Sequence, residues 1–159
     1  MRFKAPDRIG IIFIVLTIAL SSFIFIMSSQ DATESADTSS GVCEAILSFF
    51  DSEYDDATEE QKLQKVEALQ FWVRKGAHFS VYCVLAIFAF LAMRSVFTAL
   101  PFVFSLMYCL LFSISDEIHQ SFVPGRSCEL RDVCIDFSGA VLGTILIILF
   151  LRIIPKKKT

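Results

Sequence analysis

The sequence has no C-x-x-C among its five cysteines, no glycine-rich phosphate-binding loop and no EF-hand spacing among its acids. The first absence argues against cysteine-based zinc motifs and thioredoxin-type sites, the second against nucleotide binding, and the third against a helix–loop–helix calcium site. No stretch alternates apolar and polar residues as barrel strands do. No internal repeat and no low-complexity tract appears. What the chain does have is apolar sequence: 55% of its 159 residues are hydrophobic, too many for a soluble domain of this size.

A helix needs about 20 apolar residues to cross a hydrocarbon core of about 30 Å. Four stretches meet that length, about 9–28, 76–93, 99–116 and 132–154, the middle two by extending into helix-compatible polar sequence. In lipid the backbone must satisfy its own hydrogen bonds, so runs without strand alternation read as helices. The expected fold is all-α: a polytopic bundle of four transmembrane helices in one domain, 1–159, with an interfacial helix leading into the second span. The first span follows a basic head, "MRFKAPDR", as a signal peptide would, but its apolar core is long and no A-x-A-like site follows. It is read as an uncleaved span.

Basic residues near span ends set orientation. With both termini cytoplasmic, the inner set is Arg2, Lys4, Arg8, Arg94, Arg152, Lys156, Lys157 and Lys158 against a single acid, Asp7. The other six basic and sixteen acidic residues fall outside, giving +7 within and −10 without, together the −3 of the chain. The expectation is a multi-pass protein of the cell membrane whose outer face is too acidic for a nucleic-acid partner. Of the cysteines, Cys83 and Cys109 lie within spans as small fillers. Cys43, Cys128 and Cys134 lie outside or near the outer interface, where a disulfide among them stays open.

The outer segment 30–70 begins with "QDATESADTSSG", polar and helix-poor, and is expected to form a loop. "VCEAILSFF" (Val42–Phe50) is an apolar patch suited to resting on the membrane or capping the bundle. "DSEYDDATEE" is an acidic run, read as a solvated loop. Thr58 with Gln61 has the form of a capping box, and Leu63, Val66, Leu69 and Val73 then recur at helical spacing. One long helix from about Glu59 to Met93 follows, with Phe71 and Trp72 as interfacial aromatics. "VPGR" (Val123–Arg126) suits a type II turn and makes the third and fourth spans antiparallel neighbours.

Chemistry concentrates in "SDEIHQSFVPGRSCELRDVCIDFSG" (Ser115–Gly139). Asp116 shares a helix face with His119 and Gln120, and Glu117 lies beside Ser113 and Ser121 on the next. Asp132, Asp136, Gly139 and Gly143 form one stripe, carboxylates first and a G-x-x-x-G after, which lets another helix approach closely. Lys75, His78 and Tyr82 form a matching stripe on the second span. Each feature alone has an ordinary reading: snorkelling cations, packing glycines, an acid favourable to a helix N-terminus. Asp136, however, sits about one turn inside the fourth span, where an ionised group costs roughly 2.5–3.5 kcal/mol at full depth. It requires a partner, with Lys75, His78, Arg126 and Arg131 as candidates.

Taken together, "RKGAHFSVYCVL" (Arg74–Leu85) and "SDEIHQSFVPGRSCELRDVCIDFSGAVLG" (Ser115–Gly143) resemble the VanZ family of bacterial membrane proteins. The matching positions are Lys75 and His78, then Ser115, Asp116, Glu117, His119 and Gln120, then Val123 to Ser127, then Asp132, Asp136 and Gly139. The segment from Asp31 to Gln70 is not explained by that pattern. The resemblance implies association with low-level tolerance to the glycopeptide antibiotic teicoplanin, and it carries no assigned reaction.

Two readings follow. In one, Lys75, His78, Asp116, Glu117, His119, Gln120, Arg126, Asp132 and Asp136 line an outward-facing site for an anionic membrane lipid or lipid-linked cell-wall component. Its catalytic version uses His78, His119 or Glu117 as base or nucleophile. No cofactor is required, although a divalent cation could be held by His119, Asp116, Asp132 and Asp136. In the other, the charges are an interhelical clasp in a non-catalytic accessory protein. A transporter fits less well, since four spans charged at one end offer no path across.

Overall fold

The computed structural model describes residues 3–153. Arg2, Ile154 and Lys156 to Lys158, which entered the charge count and the end of the fourth span, lie outside the described residues. Within them the chain forms five helices: α1 (Arg8–Ser28), α2 (Ala32–Phe50), α3 (Glu59–Val96), α4 (Pro101–Gln120) and α5 (Leu130–Ile153). All but α2 are long and apolar enough to cross a membrane. One isolated bridge pairs Phe3 with Phe97, so the N-terminal segment lies against the α3–α4 connection. That end carries Lys4, Arg8, Arg94 and Arg152. The acids other than Asp7 are at the opposite end, capped by α2.

α3 organises the fold: it packs against each of the other four helices. At 38 residues it is about 57 Å long, nearly twice a hydrocarbon core. The capping box at its start is present, with Thr58 and Gln61 each bonding the other's backbone N–H. Its apolar second half runs through the bundle, where Tyr82, Leu85, Ala86 and Ala89 meet Ile24, Cys109 and Ala140. Against α5 the contact is backbone to backbone. A Cβ added at Gly139 would collide with the Phe79 carbonyl, and one at Gly143 with that of Cys83. The G-x-x-x-G seam therefore joins α5 to α3.

The expected loop at the start of the 30–70 segment is instead helical. Asp31 and Glu34 form a capping box that starts α2, and the helix continues through Gly41 to Phe50. Sequence reading counted the serines and aspartates as helix-poor, but Asp31 satisfies orphan N–H groups at the helix start. α2 then packs along the projecting half of α3. Cys43, Tyr54 and Val66 form a small second core, with Leu47, Leu69 and Val73 around it. Gln70 donates to the Ala36 carbonyl at 3.1 Å. All five cysteines are free thiols.

The turn between α4 and α5 has the expected form: Arg126 N–H donates to the Val123 carbonyl at 3.1 Å, and Gly125 has φ +74°. Only glycine adopts that φ without strain. The Cβ of Ala32 also leaves no room for a side chain at Gly125, which fixes the turn against the start of α2.

Candidate functional site

At the α2 end, buried polar side chains from α1, α3, α4 and α5 meet. Asp136 is fully buried, and Asp116 and Glu117 are each 1% exposed. Asp136 Oδ2 accepts from the Ser113 hydroxyl at 3.3 Å, while Oδ1 lies 3.5 Å from His78 Nδ1. Asp116 Oδ2 accepts from Ser28 at 2.9 Å and from Gln120 Nε2 at 3.2 Å. Gln120 also reaches Ser28 Oγ at 3.3 Å, so the three side chains close a ring between α1 and α4. Each carboxylate thus has one oxygen held by protein donors and one left bare.

Other candidates are committed elsewhere. Lys75 pairs with Asp132, and Arg131 stands 3.8 Å from the same carboxylate. Both cations also lie over the Phe71 ring. Glu117 Oε2 accepts from the Glu129 N–H at 2.9 Å, which holds the entry to α5. Ser113 bonds Asp136, not the Glu117 beside which sequence spacing placed it. His119 turns toward α1: its ring stacks on Phe25 at 4.0 Å, and Nε2 lies 3.0 Å from Ser29 Oγ. The Ser29 hydroxyl donates to the Phe25 carbonyl, so His119 Nε2–H is the donor to Ser29. His119 and Asp132 therefore do not join Asp116 and Asp136 in a common ligand set. The group that does come together is His78, Asp116 and Asp136.

Beside this cluster is a mostly apolar cavity of about 300 Å³ between α1, α2 and α3. Phe23, Ile24, Met27 and Val81 line its apolar part, and Arg74, His78 and Arg126 its polar part. A second, polar cavity of about 230 Å³ lies next to it, and Arg74 and Arg126 line both. Arg126 donates to the Gln30 carbonyl at 3.3 Å and contacts Gln120 Oε1 at 3.5 Å. Among the described residues neither arginine forms an ion pair with a carboxylate. Burial and the neighbouring Arg74 charge both push the Arg126 pKa below its ordinary value. Arg74 and Ser28 were absent from the sequence-based candidates, although Arg74 immediately precedes Lys75 in "RKGAHFSVYCVL".

The fold and this cluster define a class: a multi-pass α-helical membrane protein with a buried polar centre at one end of its bundle. The chain belongs to the VanZ/LLP1 family, whose model matches residues 13–151, from α1 through α5 and including the segment 30–70. No curated protein and no solved structure matches it.

Proposed function

We propose that the protein recognises an anionic amphiphile of the cell envelope, a membrane lipid or a lipid-linked cell-wall component, from the outer face. The observation that carries this reading is the Arg74–Arg126 pair at the polar end of an apolar cavity. Two guanidiniums without carboxylate partners form a strong receptor for phosphate or carboxylate, since each can donate in a bidentate fork. The cavity's size falls in the range of small-molecule sites, and its apolar walls suit an acyl or prenyl chain. α2 supplies Ser35, Thr38, Ser39 and Val42 to one wall, which gives the acidic insert a role in shaping the site. Withholding such a component from, or presenting it to, a glycopeptide is consistent with the teicoplanin tolerance that the family resemblance implies.

The clasp reading keeps part of the cluster. Lys75–Asp132 and Glu117 at the entry to α5 are closed contacts that join helices. They hold the bundle, while Arg74 and Arg126 face open space.

Detergent-purified protein mixed with vesicles containing a polyprenyl phosphate or phosphatidylglycerol tests the proposal. Wild type should retain the anionic lipid in native mass spectrometry, and the Arg74→Ala/Arg126→Ala double variant should lose it. Equal retention by the double variant would overturn the reading.

A further inference from the structure

Six buried side-chain polar atoms among the described residues have no hydrogen-bond partner in the protein. Two are Glu117 Oε1 and Asp132 Oδ1, whose other oxygens are committed to the Glu129 N–H and to Lys75. The others are His78 Nδ1, Tyr82 Oη, Asp116 Oδ1 and Asp136 Oδ1. One ligating atom each from His78, Asp116 and Asp136 lies within 4.8 Å of the others. Tyr82, wholly buried and one turn along α3 from His78, is within electrostatic reach of both carboxylates. We infer that His78, Asp116 and Asp136 bind one divalent metal ion between α3, α4 and α5, with the Tyr82 hydroxyl facing the same centre.

Charge is the first argument. Of the three carboxylates with almost no exposure, Glu117 is bonded to the entry of α5, and Asp116 and Asp136 converge with His78 and need positive charge between them. Lys75 is held by Asp132. Arg126, although its charge reaches Asp116, bonds the Gln30 carbonyl and Gln120 and makes no ion pair with either carboxylate. A protonated His78 supplies one charge and pairs with Asp136, leaving Asp116 Oδ1 uncompensated. A water molecule satisfies hydrogen bonds but not charge. A divalent ion beside a neutral imidazole balances the centre.

Orientation is the second. Ligating carboxylates are ordinarily hydrogen-bonded on their free side by residues that fix their direction. Ser113 does this for Asp136, and Ser28 and Gln120 do it for Asp116, so the two bare oxygens are turned inward. Metal–ligand bonds of about 2.0–2.2 Å place tetrahedral neighbours about 3.4 Å apart. The His78–Asp136 separation of 3.5 Å matches that edge, and small side-chain rotations bring in Asp116. One imidazole with two carboxylates favours an ion of the Zn²⁺ or Mn²⁺ kind over Mg²⁺ or Ca²⁺, which prefer oxygen donors alone. Because His78 also lines the apolar cavity, an open coordination position would face the anionic ligand's end of it. The metal site stands whether or not that ligand is a lipid, since binding of the ion is read directly.

The test is metal content of the full chain, purified in detergent without chelators and equilibrated with ZnCl₂ or MnCl₂ before washing. Wild type should hold one ion per chain by mass spectrometry of the elements. Asp136→Asn, Asp116→Asn and His78→Gln should each bind it more than tenfold more weakly. Asp55→Asn, an exposed acid outside the centre, should bind as wild type does. Where a ligand variant does not fold, X-ray absorption on zinc-loaded wild type decides, with an expected nitrogen–oxygen shell that includes one imidazole at about 2.0–2.1 Å. Absence of bound metal in wild type, full binding in all three ligand variants, or a shell without imidazole would each overturn the inference.

Discussion

His78 Nδ1 stands 3.5 Å from Asp136 Oδ1, beyond a good hydrogen bond yet too near for an intervening water. The two residues belong to different helices, and the spacing is set one residue and one turn away. His78 immediately precedes Phe79, whose carbonyl lies against Gly139, and Gly139 is three residues beyond Asp136. The glycine seam and the polar centre are thus one construction: backbone contact between α3 and α5 fixes how far apart the imidazole and carboxylate are held.

Gly139→Leu should therefore disrupt both the packing and the cluster. Any Cβ there meets the Phe79 backbone, which cannot move as a flexible side chain can. Overpacking of this kind costs about 1–3 kcal/mol and at times more. A thermal melt in detergent should show a clear drop. Gly76→Ala is the control: a Cβ at Gly76 meets nothing within 4 Å, and the helix should gain roughly 0.5–1 kcal/mol. A Gly139→Leu protein as stable as wild type would refute the close α3–α5 contact.

Much of this fold was legible because bilayer thickness and helix geometry convert apolar length into spans. The long α3 could be read from Thr58 and Gln61 with the periodic residues after them. α2 was missed because the segment was read by its helix-poor composition, and the Asp31–Glu34 capping box was not recognised. A further signal stood unread in α1: Thr17, Ser21, Ile24 and Ser28 follow the seven-residue spacing of a packed face, and all four are buried. Read as a helix interface, that stripe points Ser28 toward Asp116. At the site, spacing alone could not separate Gln120 from His119. Both are neighbours of Asp116 on a helix, but Gln120 lies to one side, in the centre, and His119 to the other, against Phe25. Which side is buried depends on α1, and no local pattern contains that.

The packing of α2 on α3 should be sensitive to acid through Asp51. Its carboxylate accepts from Lys65 at 2.6 Å, and this bond, with the Glu53 N–H, holds its pKa below the usual value of 3.8. A depressed carboxylate contributes stability above its unfolded pKa and loses it as pH falls through the folded one. Carboxyl carbon NMR should thus show Asp51 titrating below 3.8 in wild type and moving back up in Lys65→Met. An unchanged midpoint in that variant would remove Lys65 as the cause.

The charge asymmetry predicts that the α2 end lies outside. Impermeant maleimide on intact cells should label single-cysteine variants at Ser52 or Ser127, both exposed at that end. It should not label Ala99, exposed at the opposite end beside the start of α4. Labelling of Ala99 with protection of Ser127 would place the cavity and its arginines on the cytoplasmic side, and an envelope ligand would then be excluded.

Teicoplanin tolerance separates a site from a clasp, in a susceptible host where expression of the protein raises tolerance. Asp136→Asn keeps the side chain's shape and removes a charge from a pair of close carboxylates, so the fold should persist. His78→Ala removes a partly exposed ring, with its side chain 29% accessible, and leaves the glycine seam intact. Both variants should lose tolerance at near-normal membrane abundance, as should Arg74→Ala with Arg126→Ala. Lys75→Ala should behave differently. It strands Asp132, an error that costs about 3–5 kcal/mol for a fully buried pair. Here the cost should be smaller, because Arg131 lies 3.8 Å away and the pair is partly exposed. Abundance should therefore fall for Lys75→Ala, with tolerance falling in proportion. If the His78, Asp136 and double-arginine variants all keep full tolerance at normal abundance, the polar centre and its cavity do not carry the function. If they lose abundance and tolerance together, as Lys75→Ala should, the whole cluster is a clasp.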